Sequence, residues 1–145
     1  MKKLFLSLTV FVSFMLSGCS FLGEVNDSLE YANKATDHIN TLKDFADTAP
    51  QMIQEAAANG ESKEELENQI KTLIEKMEKF NAIDPPAIAE DIHRQFVEKN
   101  MIIIEEMNQV MSDGEIILEQ MESTEIFTTI NEFTTLLNQL NELGL

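Results

Sequence analysis

The chain is poor in the residues that most enzymatic and ligand-binding motifs require. It has one cysteine, Cys19, two histidines, His38 and His93, five glycines and three prolines in 145 residues. A solitary thiol leaves no partner for an internal disulfide. The glycines are too scattered to form a phosphate-cradling loop, no Gly-x-Ser-x-Gly elbow occurs, and neither histidine is tied by spacing to a serine. Positive charge is also scarce: 10 Lys and Arg stand against 26 Asp and Glu, a formal net charge of −16. Such a polyanion is excluded from nucleic acid and repelled by anionic headgroups, whereas a basic partner or divalent cations would be attracted. Long apolar runs are absent but for one, at the start of the chain.

That run carries the most specific signal. Lys2 and Lys3 precede a largely apolar stretch from Leu4 to Leu16, shorter than the roughly 20 residues a spanning helix needs and of the length found in secretory signals. Small residues, Ser17 and Gly18, follow, and then Cys19. Leu16-Ser17-Gly18-Cys19 resembles the bacterial lipobox. The resemblance implies that Leu16, Ser17 and Gly18 are read by a signal peptidase, that the Cys19 thiol receives a diacylglycerol, and that cleavage leaves Cys19 as the first mature residue. Two acyl chains, at about 0.8 kcal/mol per buried CH₂, give stable anchoring where one is marginal. The expected organisation is therefore a signal peptide over 1–18, a short lipid-anchored tether over 19–23 and an acidic domain over 24–145. Removing 1–18 takes away Lys2 and Lys3 and no acid, so 8 basic and 26 acidic residues remain, a formal charge of −18. The expected location is the extracytoplasmic face of the cell membrane, reached through the lipid on Cys19.

Beyond the tether the hydrophobic pattern is helical throughout. Leu22, Val25, Leu29, Ala32, Thr36, Ile39, Leu42 and Ala46 follow three-four spacing and predict one helix to about Asp47. Pro50 is expected to end it and to start a short second helix, with Thr48 and Gln51 as a capping pair and Asn59-Gly60 as the stop. Ser62 and Glu65 form a capping box ahead of Leu66, Ile70, Leu73, Met77 and Phe80, the cleanest stripe in the chain. Asp84-Pro85-Pro86 predicts a break, with Asp84 capping and Pro85 at the first helical position. A long helix follows through Ile88, Ile92, Phe96, Ile103, Met107 and Val110. The run Met101-Ile102-Ile103-Ile104 covers more than one face, so this helix is expected to be the most enclosed. Ser112-Asp113-Gly114 predicts a turn or kink, Ser123-Thr124 a cap, and Ile126, Ile130, Phe133, Leu137 and Leu140 the last stripe.

The fold class expected from this pattern is all-α: an up-and-down bundle of three to four main helices preceded by a cleaved signal peptide. The chain resembles a family of small, uncharacterised lipoproteins of Gram-positive bacteria. The residues that carry the likeness are the lipobox with Ser20-Phe21-Leu22, the segment from Asp84 to His93 and the acidic, Leu-rich C-terminal helix. The resemblance implies an envelope location and no particular chemistry.

Candidate chemistry is thin. Glu90 and His93 have the i, i+3 spacing of di-metal helical bundles, but His38 is preceded at that spacing by Ala35, so the second pair is missing. Glu90 also falls in a first helical turn, where acids complement the helix dipole, and both residues are expected at the helix surface. Asp113-Gly114-Glu115 lacks the alternating oxygen ligands of an EF-hand loop. Met77, Phe80, Phe96, Met107 and Phe133 fall on core stripes, which favours packing over a greasy binding groove. The expectation is thus a non-enzymatic interaction or structural module that meets an envelope protein and needs no cofactor or metal. A binding protein for an apolar or cationic small ligand is the alternative, with a metal-dependent enzyme a distant third.

Overall fold

The computed structural model describes residues 18–112, 114–121 and 125–144, with side chains described from Asn26 onward. Four long helices make an up-and-down bundle: α1 (Gly18–Ala58), α2 (Gly60–Asn81), α3 (Glu90–Gln109) and, after a small hairpin and the short α4 (Leu118–Met121), α5 (Ile126–Glu142). Each long helix packs on two others, α1 on α2 and α5, and α3 on α2 and α5. α1 and α3 are therefore diagonal partners running in the same direction, with α2 and α5 returning between them. Backbone groups of α1 already lie in helix at 19–23, the stretch expected to be a tether.

Heptad-like seams explain the arrangement. On α1 the buried side chains are Tyr31, Ala35, His38, Ile39, Leu42, Phe45, Ala49, Ile53 and Ala56. Apart from Ile39, which widens the stripe, their steps of four and three residues give the narrow apolar stripe of a coiled-coil-like interface. It shares Ile39 and Leu42 with the stripe expected from the sequence, and Ala46 packs against it, but the earlier turns differ. Leu29 is exposed and Ala32 only half-buried, because the aromatic rings at 31 and 45 and the imidazole at 38 set the phase of the helix in preference to the aliphatic series. On α2 the expected set, Leu66, Ile70, Leu73, Met77 and Phe80, is the buried set.

Several boundaries differ from the expected ones. Pro50 lies inside α1 and does not end it. Proline removes one donor and crowds the carbonyl four residues back, that of Ala46. Pro50 itself is exposed, while Ala49, Ile53 and Ala56 are held in the core. Water can serve the freed carbonyl, and burial keeps the helix continuous. Thr48 does not cap; its hydroxyl donates to the Asp44 carbonyl at 2.8 Å, and the Gln51 amide donates to Glu55 Oε1 at 2.8 Å. The break comes at Asn59, a single residue in extended conformation whose side chain accepts from the Glu61 amide at 2.9 Å. Asn59 supplies the cap assigned to Ser62, and Gly60 begins the next helix.

After α2, Pro86 leads into a tight 3₁₀ turn at Ala87–Ala89, closed by the Ala89 amide on the Pro86 carbonyl at 2.8 Å, and α3 starts only at Glu90 with no side-chain cap. The expected Asp84 cap and Pro85 start are displaced by this turn. Where a turn or kink was expected, β1 (Met111–Ser112) pairs antiparallel with β2 (Glu115–Ile116). Gly114 has φ +87°, the left-handed region that favours glycine. The hairpin docks on α2: the Ile116 amide donates to Glu67 Oε1 at 2.9 Å, and Lys63 bridges Glu115 at 3.1 Å. The Ser123-Thr124 cap lies outside the described residues. α5 begins with no side-chain cap of its own; the Glu106 carboxylate of α3 faces the amides of Glu125 and Ile126 there, and partial burial raises its pKa. On α5, Leu136 is buried in the place expected for Leu137, which is half-buried.

Candidate functional site

The centre of the bundle holds a polar ladder between the diagonal helices α1 and α3. Tyr31 pairs with His93 Nδ1 at 3.0 Å, and His38 Nε2 with Asn100 Oδ1 at 2.9 Å. Both pairs are separated by 62 residues in sequence. One pair lies seven residues beyond the other on both helices, so they form successive layers of two parallel helices, about 10 Å apart at 1.5 Å per residue. The Asn100 amide continues the chain, donating to Asn81 Oδ1 at 2.6 Å at the end of α2.

Aromatic rings enclose these contacts. His38 stacks on Phe80 with centroids 4.2 Å apart and planes 8° from parallel, and meets Phe96 and Phe133 edge-on. Phe80 also approaches His93, and Phe96 packs between Phe80 and Phe133. Each of the four long helices thus contributes at least one ring. Both histidines are only 7 % exposed, so the surface position expected for His93 is corrected. It occupies the seam position three residues before Phe96.

Burial dictates the protonation states. An imidazolium loses hydration that the aromatic cage does not replace, so the His38 pKa falls to about 4, with the Asn100 contact opposing the shift. His93 is lowered for the same reason. Burial raises Tyr31, so its hydroxyl stays protonated and donates to Nδ1 of His93. The proton of His93 then resides on Nε2, which is buried beside the Asn81 backbone carbonyl without a well-formed hydrogen bond. Two neutral imidazoles with a protonated phenol can fix register and layer pairing. Among the described residues the side-chain hydrogen-bond partners of the two histidines are Tyr31 and Asn100.

Glu90, the other half of the sequence-level metal pair, is exposed at the start of α3 and is not brought together with buried His93. Among the described residues no three of His, Cys, Asp and Glu converge as metal ligands would. Of the lipobox, Leu16 and Ser17 lie outside the described residues; Gly18 opens α1 and Cys19 follows in its first turn. The sequence reading missed Tyr31, Asn81 and Asn100 altogether. The available signal was the recurrence of a polar residue one heptad from another on two helices.

Two surface features remain. At the end of the bundle nearest Cys19, an open cleft of about 660 Å³ is bordered by Leu29, Tyr31, Ile88 and Leu143, with Asp27 and Asp84 on its rim. Lys34 lies there too, paired with Glu30 at 2.6 Å, which lowers the Glu30 pKa. On the outer side, between α2 and α3, a shallow groove exposes Met101 by 61 % and Ile102 by 48 %. The helix expected to be the most enclosed therefore turns two large apolar side chains to solvent.

A family model described as a family of unknown function (DUF6376) matches residues 31–143. The chain is 30% identical over 130 residues to the uncharacterized lipoprotein YybP of Bacillus subtilis (strain 168), an alignment covering 88% of each chain. No solved structure matches it. Among the described residues no helix is long and apolar enough to cross a membrane.

Proposed function

The chain belongs to the family of unknown function DUF6376, and from that premise we propose that it is an extracytoplasmic lipoprotein whose bundle acts as a non-enzymatic interaction module of the cell envelope. The observation that carries the reading is the placement of Cys19. The only cysteine follows a short apolar run and two small residues, in a chain similar to a lipoprotein. The two acyl chains of a diacylglycerol on the thiol hold the protein at the outer face of the membrane. The first turn of α1 then leads from the anchor into the bundle, with no Gly/Ser-rich linker between them. A centre filled by aromatic rings and neutral polar pairs supports a scaffold that presents surfaces, with no catalytic step required of it.

The experiment compares wild type with Cys19→Ala in the parent cells. Palmitate labelling and membrane fractionation are lost in the variant, and the leader is removed slowly. Labelling that survives the substitution would refute the lipobox reading. The cleft beside Leu29 and Tyr31 favours a second reading, a lipoprotein that binds a small apolar cation. Saturable binding of a quaternary ammonium probe, abolished by Asp84→Asn with Asp27→Asn, would support that reading over the first.

A further inference from the structure

We infer that the groove between α2 and α3 is a docking surface for a basic amphipathic helix of a partner protein. The inference rests on the interaction reading above and specifies its face and its chemistry.

Met101 and Ile102 stand outside the buried seam of α3. The seam of α3 is completed by Ile92, His93, Phe96, Asn100, Ile103 and Met107, and large apolar side chains exposed side by side mark a contact surface on a soluble protein. The charged residues that line the groove are of one sign. Glu98 and Glu105 lie on the same strip of α3, within one turn before and after the apolar pair, and Glu78 faces them from α2; the groove has no cationic lining residue. A shallow trough between two antiparallel helices accepts a third helix through residues at i, i+3, i+4 and i+7. An apolar centre with a carboxylate rim selects a helix whose apolar stripe is flanked by Lys or Arg.

Other occupants fit worse. A second copy would set this carboxylate rim against its own image, a like-charge juxtaposition that disfavours pairing. Anionic headgroups are repelled in the same way, and Met101 lies eleven residues into α3, about 16 Å along the helix from its start at Glu90, away from the anchored end.

The test has two arms. In the first, a photoreactive amino acid replaces Met101 in the full lipidated chain in its own cells, with Lys43 on the outer face of α1 as a second position. The expected product joins position 101 to a protein segment with an apolar stripe and flanking Lys or Arg. Capture of another copy of this chain, or of lipid, overturns the proposal. If position 101 captures nothing while position 43 captures a defined protein, the groove assignment falls and the interaction reading stands. If neither position captures a protein, both fall.

In the second arm, a synthetic amphipathic helix of leucine and lysine is titrated against the lipidated chain in zwitterionic nanodiscs. Met101→Ser with Ile102→Ser weakens binding about tenfold or more, as loss of central apolar contacts does. Glu98→Gln with Glu105→Gln weakens it about fivefold and flattens its salt dependence. Asp37→Asn with Asp47→Asn, exposed acids on α1, changes it less than about twofold. All of these positions are solvent-facing, and circular dichroism verifies that the variants fold. Equal losses from the two acidic pairs, or undiminished binding to the serine variant, would show diffuse attraction to a polyanion and overturn the proposal.

Discussion

Acidification should destabilise this bundle through His38, and replacing that residue by glutamine should remove the effect. The folded protein holds His38 neutral down to about pH 4, whereas the unfolded side chain titrates near its ordinary value of 6.5. Above pH 6.5 neither state is protonated and the histidine contributes no pH dependence. Between 6.5 and 4 the unfolded chain binds a proton that the folded chain refuses, so stability falls with pH; below 4 the loss levels off. The two values correspond to about 2 kcal/mol lost at about pH 5 and about 3 kcal/mol at about pH 4. His93, lowered as well, acts in the same direction. Relief of repulsion among the acids opposes both, since lowering pH reduces a large negative charge. The measurement must therefore be a difference. Urea unfolding of wild type and His38→Gln, followed by circular dichroism, is compared at about pH 8 and about pH 5. Glutamine retains an amide donor for Asn100 and cannot titrate. The gap between the two proteins should shift by about 2 kcal/mol in favour of the variant at the lower pH. A gap that stays constant would mean that His38 is not held neutral by burial, and the account of the ladder would fail.

Three further outcomes follow from the same structure. Asn100→Ala leaves His38 Nε2 and Asn81 Oδ1 without their shared partner and should cost about 2–4 kcal/mol in urea unfolding; a cost under about half a kcal/mol would count against a buried network. Pro50→Ala should stabilise the protein by about 1–3 kcal/mol, because it restores the donor to the Ala46 carbonyl within a continuous helix; destabilisation would indicate that proline is needed there. Gly114→Ala meets no neighbouring atom, so its cost is purely conformational, about 1–2 kcal/mol from the left-handed backbone, and amide exchange should accelerate in the hairpin and leave the centre of α1 protected.

Much of the architecture is legible in the amino-acid pattern because long amphipathic helices repeat one signal many times. The α2 stripe was found intact for that reason. The α1 stripe was legible only in part: Ile39 and Leu42 are buried as expected, but aliphatic periodicity also pointed to Leu29, while Tyr31, His38 and Phe45 fill the seam. Pro50 and Asn59 show the limit of local reading: tertiary burial carried the helix through a proline, and one extended asparagine did the work expected of a longer connection. The polar ladder was hidden because its members look like surface residues one at a time. Only the pairing of α1 with α3 reveals that 31 meets 93 and 38 meets 100. The β-hairpin contributes two residues per strand, too few for an alternating pattern to register.

The equal offset of the two rungs limits how the chain can change length. One residue added between Tyr31 and His38 would rotate everything beyond it by about 100° and turn His38 away from Asn100. Within the four long rods, growth or shortening that preserves the phase comes in blocks of seven made in all of them together. Smaller changes are confined to the corners: the asparagine hinge, the proline-rich bend and the tip of the hairpin.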